Sequence, residues 1–261
     1  MRQLHRHLEN FEARCREQGG VVHWAETPAD ARQIVLELLT SRGVRVLSKG
    51  KTMVAEEIGL NGFLEEHGIE VVETDLGEYI IQLNNETPSH VVAPVMHMTK
   101  AEIRDVFVRE LAMQPTDDAE TMVAFARQRL RQDFLNADMG ISGGNFLIAE
   151  TGSIGLVMNE GNGRFCTSMP PVHIALVGIE KIVETVADYA TLTQVLPRSA
   201  TGQPLSVYTN ILNGPGRAHE ADGPEHGYVI LVDNGRSRIY ATDYAEALAC
   251  IRCGACQNAC P

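Results

Sequence analysis

The chain has little of what marks several large protein classes. Aromatic residues make up 5% of its 261 residues, with a single tryptophan. No apolar run approaches the ~20 residues that a membrane-spanning helix needs, so no membrane span is expected. The N-terminus, Met1 to His7, carries charge with no apolar stretch behind it and does not read as a secretory leader. Positive charge is scarce: 22 Lys and Arg stand against 34 Asp and Glu, a formal net charge of −12. A nucleic-acid partner would demand a basic face and is not expected. A Gly-x-Gly-x-x-Gly turn after an early strand is missing, which leaves a dinucleotide site little support. Cysteine is almost missing from the first 249 residues, where only Cys15 and Cys166 occur among the six in the chain. A disulfide framework would spread its cysteines along a short secreted chain. Clustering at one end instead reads as a metal or cluster site in a reducing compartment, and therefore as a cytoplasmic protein.

What remains is ordinary globular material, 44% hydrophobic and 21% charged, enough for one large domain or two small ones. Residues 2–18 read as an amphipathic helix with Leu4, Leu8, Phe11 and Cys15 on one face, closed by Gly19-Gly20. Cys15 is then a small buried hydrophobe. Strands are expected at Val21–Trp24, Val44–Leu47, Ile69–Val72 and His90–Ala93. Between them lie helical stretches: one capped by Thr27 with Pro28 at its first position, one around Thr52–Ile58, and one over Phe63–His67. Thr99 and Glu102 form a capping box for a helix to about Met113, and Asp117–Leu135 reads as another helix. Strands alternating with helices predict an α/β fold with a mixed, mostly parallel sheet covered by helices. The expected organisation is an N-terminal helix over 1–20, an α/β domain over 21–248 and a cysteine segment over 250–261.

Residues 138–164 are rich in glycine. Phe146–Ala149 and Ile154–Met158, joined around Thr151-Gly152-Ser153, predict a small antiparallel hairpin. Val172–Val177 reads as a buried central strand, with His173 a core histidine whose hydrogen bonds are satisfied. Late strands are expected near Leu205–Thr209 and Tyr228–Val232. Glycine amides can approach a ligand closely and form anion nests. Arg164 could grip a carboxylate in a bidentate way, and Lys49 and Lys51 could do so as point charges in a loop beyond a strand. Lys49, Lys51, Thr151, Gly152, Asn162 and Arg164 are the candidate ligand-binding residues. Equally, these glycines are what tight hairpins need.

Most specific is Cys250-x2-Cys253-x2-Cys256-x3-Cys260-Pro261, the spacing of a bacterial ferredoxin cluster motif. Zinc sites pair two distant C-x2-C knuckles, and no second knuckle is present. In two-cluster ferredoxins the fourth cysteine of such a run serves the other cluster. Cys250, Cys253 and Cys256 would then need a ligand from a second run, so the chain is expected to be part of a longer protein.

Several blocks lead in order to that run: Ser48–Leu60 (SKGKTMVAEEIGL), Glu73–Leu83, Glu150–Ser153, Asn159–Arg164, Arg198–Gly202 and Asp233–Ser237. Together they resemble the lactate utilization protein B family, iron–sulfur proteins with an N-terminal LUD domain. The resemblance implies the α/β fold shared with CoA transferases and 5-formyltetrahydrofolate cyclo-ligase. It implies [4Fe–4S] clusters in the full-length protein, absent or incomplete in a chain ending at Pro261. It also implies A-like and C-like lactate utilization partners in a system that oxidises L-lactate to pyruvate. The chain is then an electron-transfer component. As an alternative, its LUD domain is itself an enzyme domain for a hydroxy acid or acyl group. Acyl-transferring relatives use a carboxylate covalently, which makes Glu150 and Glu160 the candidate catalytic groups, though Glu150 reads equally as a loop brace. A third possibility is a scaffold that docks partners.

Overall fold

Apolar side chains at helical spacing and short β-branched runs settle into alternating elements in the computed structural model, which describes residues 3–90 and 92–260. Helix α1 (Leu4–Glu17) buries Leu4, Leu8, Phe11 and Cys15, the face its periodicity marks out. Strand β1 (Val21–Ala25) follows. Thr27 then caps α2 (Pro28–Thr40) in a reciprocal box with Asp30, satisfying two amides that the helix start leaves without partners. β2 (Val46–Lys49) leads through short helices α3 (Met53–Glu57) and α4 (Leu60–Glu66) to β3 (Glu70–Glu73). Three helices follow, α5 (Leu76–Leu83), α6 (Lys100–Leu111) and α7 (Ala119–Asn136).

The chain re-enters the sheet as β4 (Met139–Ser142), then leaves it for the hairpin β5 (Phe146–Ile148) and β6 (Ser153–Met158). After α8 (Asn162–Ser168) comes β7 (Val172–Gly178), every residue of which is buried. A 3-10 turn and β8 (Ile182–Val183) precede α9 (Val186–Thr201). Then come β9 (Tyr208–Leu212), β10 (His226–Val232), α10 (Arg236–Tyr240) and α11 (Ala255–Ala259).

Six strands form one sheet in the order β1-β10-β7-β4-β2-β3, and every neighbouring pair in it is parallel. Helices α2 and α4 pack Val35, Leu39, Leu60 and Leu64 against Leu47, Ile141, Ile174 and Ile230 on one face. On the other face, α1 and the hairpin meet Ala175, Val177, Val229 and Leu231. Coverage on both faces explains why these strands read as continuous apolar runs. The antiparallel pairs lie in a separate sheet, β8-β5-β6-β9, with Phe146 opposite Gly155.

The expected strand at His90–Ala93 is not there. His90 and Val92 lie in bends, and the His90 Nδ1 accepts from the amides of Val92 and Ala93 at 3.1 and 3.2 Å. That side-chain contact folds the segment back on itself in place of a ladder; Val91 lies outside the described residues. The strand expected near Leu205–Thr209 sits three residues later, at Tyr208–Leu212.

Candidate ligand pocket and cysteine segment

Strand order fixes where a ligand can sit. From β2 the chain turns outward to β3, whereas from β4 it proceeds the other way to β7 and β10. The loops leaving β2 and β4 therefore diverge, and the crevice between them is the switch point where α/β sheets bind ligands. A cavity of about 460 Å³ opens there. Its floor is Gly50-Lys51-Thr52 after β2 and Gly143-Gly144-Asn145 after β4, and Asp75 and Lys181 come from the loops after β3 and β7. Leu156, Leu176 and Leu196 supply apolar wall, and Ile251 and Arg252 of the cysteine segment close one side. Gly143 permits the approach of the two loops, since a Cβ there would lie 3.1 Å from the Thr52 Oγ1. That hydroxyl is buried with no partner among the described residues.

Of the expected ligand-binding residues, Lys51 and Asn162 line the cavity. The Lys51 Nζ donates to the Val92 carbonyl at 3.0 Å. Lys49 ends β2 with a fully buried side chain, 2.7 Å from Glu73. Burial opposes its charge, but Glu73 and Glu78 hold its pKa above the ordinary lysine value. Asn61 donates to the same Glu73 oxygen at 2.7 Å. Thr151 and Gly152 form the hairpin turn, and a Cβ on Gly152 would lie 2.2 Å from the Cys15 amide nitrogen of α1. Arg164 stacks over the Tyr208 ring at 5.3 Å. None of these four is among the residues lining the cavity.

The two candidate carboxylates separate in the same way. Glu150 accepts from the Val186 amide at 2.9 Å, bracing the start of α9. Glu160 lines the cavity and accepts from the Leu76 amide at 3.5 Å. Burial, reinforced by Asp75, raises its pKa.

Three buried titratable groups lie near the crevice, of which only His173 was expected in the core. Glu78 is 3% exposed, neither of its carboxyl oxygens has a hydrogen-bond partner among the described residues, and burial pushes it up to about 9. Cys166 packs its thiol 3.4 Å from the Thr74 hydroxyl, and burial raises it to about 11, which disfavours the thiolate. His173 behaves as expected. Its Nε2 lies 2.8 Å from the Ser142 hydroxyl, which also lies 2.9 Å from the Gly143 carbonyl. Burial drops His173 to about 4.

Beside the cavity the C-terminal segment is seated on an ionic platform. Arg236, 5% exposed, reaches Glu57 through two nitrogens at 2.9 and 2.8 Å and Glu180 at 2.6 Å. Burial pushes the Glu57 carboxyl up, but Arg236 and Asn234 outweigh it and hold its pKa below the ordinary range. The Lys181 Nζ donates to the Cys250 carbonyl at 2.9 Å, and Cys253 packs against the cluster of Phe146, Ile148, Tyr189 and Leu196.

The four terminal cysteines offer thiol donors of the kind that hold iron–sulfur clusters. Arg252 and Gly254 both adopt positive φ, 60° and 74°, which turns the chain sharply between the cysteines. The Arg252 amide points at the Cys250 sulfur from 3.4 Å. Donor chemistry and local turn thus fit such a group. Among the described residues, however, no three His, Cys, Asp or Glu side chains converge on a metal-sized point.

A parallel six-stranded sheet with its crevice at the β2/β4 switch and a hairpin sheet on one face defines the class. Residues 8–232 match the LUD domain model, and the chain belongs to that family. It is 45% identical to the electron transport protein YkgF of Escherichia coli K12 over 258 residues, 99% of this chain and 54% of that protein. It is 47% identical to lactate utilization protein B of Bacillus subtilis 168, over 94% of this chain and 51% of the relative. The chain thus spans about half the length of these relatives. A crystal structure of a DUF162 family protein from Deinococcus radiodurans shares the fold, with a TM-score of 0.51 at 18% identity over 88% of this chain and 98% of that one. No helix among the described residues is long and apolar enough to cross a membrane.

Proposed function

We propose that this chain is the LUD-domain portion of an iron–sulfur electron-transfer component in a system that oxidises L-lactate to pyruvate, working with A-like and C-like lactate utilization subunits. One observation carries the reading: the segment bearing the ferredoxin-spaced cysteines forms a wall of the switch-point cavity, so a cluster there would lie beside whatever the cavity binds. The names of the relatives point the same way. Cys250, Cys253, Cys256 and Cys260 would hold the clusters, with further ligands from the part of the protein that the relatives possess and this chain does not span. When bound, such clusters supply one-electron transfer between partners. The chain's own residues position the segment. Lys181 holds the Cys250 carbonyl, the Arg236–Glu57–Glu180 platform supports it from below, and the apolar packing of Cys253 fixes its depth.

The test is Cys253→Ser in the natural-length protein. The expected results are loss of visible absorbance, loss of acid-labile sulfide and failure of lactate-dependent growth. Normal growth on lactate with the variant would overturn the assignment.

The cavity itself favours a second reading, in which the LUD domain binds a small molecule as an enzyme domain. Its volume falls within the range of about 300–1,000 Å³ typical of ligand sites.

A further inference from the structure

Charge accounting in the cavity wall leaves Lys51 and Arg252, among the described residues, without a carboxylate at hydrogen-bond distance. The acidic residues are already engaged. Asp75 caps α5 by accepting from the amides of Gly77 and Glu78 at 3.0 and 3.2 Å. Glu160 accepts from the Leu76 amide, and Glu180 is paired with Arg236 at 2.6 Å. On the basic side, Lys51 donates to a carbonyl oxygen, that of Val92, and Glu160 feels its charge without forming an ion pair with it. Arg252 finds its nearest carboxylate, Glu57, at 3.9 Å, and Glu57 is already gripped by Arg236 at 2.8 Å. Thr52, 3% exposed, lines the same cavity, and its hydroxyl lacks a partner among the described residues. A buried hydroxyl without a partner is destabilising, so a ligand oxygen that satisfies it is favoured.

Size supplies the second constraint. At about 460 Å³, the cavity suits ligands well beyond a three-carbon acid such as lactate, which has six non-hydrogen atoms. Its apolar wall of Leu156, Leu176 and Leu196 would stay wet around so small a guest.

We propose that the switch-point cavity binds 2-hydroxy or 2-oxo carboxylic acids with an apolar chain longer than that of lactate. Arg252 and Lys51 take the carboxylate, and Thr52 takes the adjacent oxygen. Arg252 lies between Cys250 and Cys253, so the ligand's charged end touches the cysteine segment itself. The inference rests on the reading of this cavity as the functional site, but not on the presence of a cluster.

Isothermal titration of the anaerobically purified protein tests it, with L-lactate, 2-hydroxyhexanoate, hexanoate and 2-hydroxyhexanamide as probes. Binding should tighten about threefold to fourfold per added methylene, so 2-hydroxyhexanoate should exceed L-lactate by more than tenfold. Arg252→Gln should weaken 2-hydroxyhexanoate at least tenfold and leave the amide unchanged. Thr52→Val should erase the preference for 2-hydroxyhexanoate over hexanoate. Equal affinity for acid and amide, tighter binding of lactate than of the longer acid, or no binding of any probe would each overturn the proposal. Should Cys253→Ser abolish growth on lactate while no acid binds, this inference fails and the electron-transfer assignment stands. Acid binding as described, with growth indifferent to Cys253, sustains this inference and removes the electron-transfer assignment.

Discussion

Lys49 shows how a residue type can mislead when its neighbours in space are hidden. Two lysines flank Gly50, and both invite a ligand role. One ends a strand with its side chain pointing into the protein, and the other lines the cavity. The charge on Lys49 is retained because Glu73 lies 2.7 Å away. Removing one partner of a buried ion pair strands the other. Lys49→Met should therefore cost about 3–5 kcal/mol in urea unfolding, and a loss under 1 kcal/mol would show that Glu73 simply takes up a proton. Glu78 makes a pH prediction. Its folded pKa of about 9 lies above the ordinary 4.5, so the native state binds a proton that the unfolded state releases. The resulting stability is full below about pH 4.5 and declines as pH rises towards 9. Glu78→Gln should flatten that decline in melting temperature measured between pH 5 and 9, and an unchanged slope would assign it to other groups. His173 has the opposite sign. Held neutral with a pKa of about 4, it favours the native state above its ordinary range and withdraws that support as pH falls from there to about 4.

Elements were legible where the signal was local. The Thr27 and Thr99 caps and the face of α1 all sit where spacing alone puts them. α9 was not expected, although Thr185 and Asp188 form the same reciprocal box as Thr27 and Asp30. Pro197 inside that helix hid its periodicity. β4 was hidden by its glycine. Gly140 reads as loop, yet a Cβ there would fall 1.9 Å from the Cys166 carbonyl oxygen, so it is the packing of α8 that demands glycine inside a strand. That reason lies 26 positions further along the chain and cannot be read locally. The same holds for the cavity. The Lys51 and Asn162 parts were visible in the sequence, but Thr52 and Arg252 gain their place only from sheet order. Thr185→Ala should cost about 0.5–2 kcal/mol by chemical denaturation, whereas Glu150→Ala, which removes one brace of the same helix, should cost about 1 kcal/mol. A much larger loss of activity than of stability in the Glu150 variant would revive it as a chemical group.

At the scale of the molecule, Arg236 joins the body to the cysteine segment, since its carboxylate partners Glu57 and Glu180 also flank Arg252 and Lys181. Arg236→Ala leaves the buried Glu180 and the more exposed Glu57 without the guanidinium that both now hold. It should lower stability by about 3–5 kcal/mol and make the chain beyond Tyr240 the first site of limited proteolysis. Protease resistance equal to that of the parent protein would show that Lys181 and the packing of Cys253 suffice to hold the segment. Strand order has a consequence for synthesis as well. β1 lies at one edge of the large sheet, and its neighbour there is β10, which leaves the ribosome some two hundred residues later. At about 5–20 residues per second, β1 waits roughly 10–40 s for its partner. Through that interval Val22 and the apolar face of α1 have no finished surface to bury against, and the nascent chain offers them to whatever chaperone meets it first.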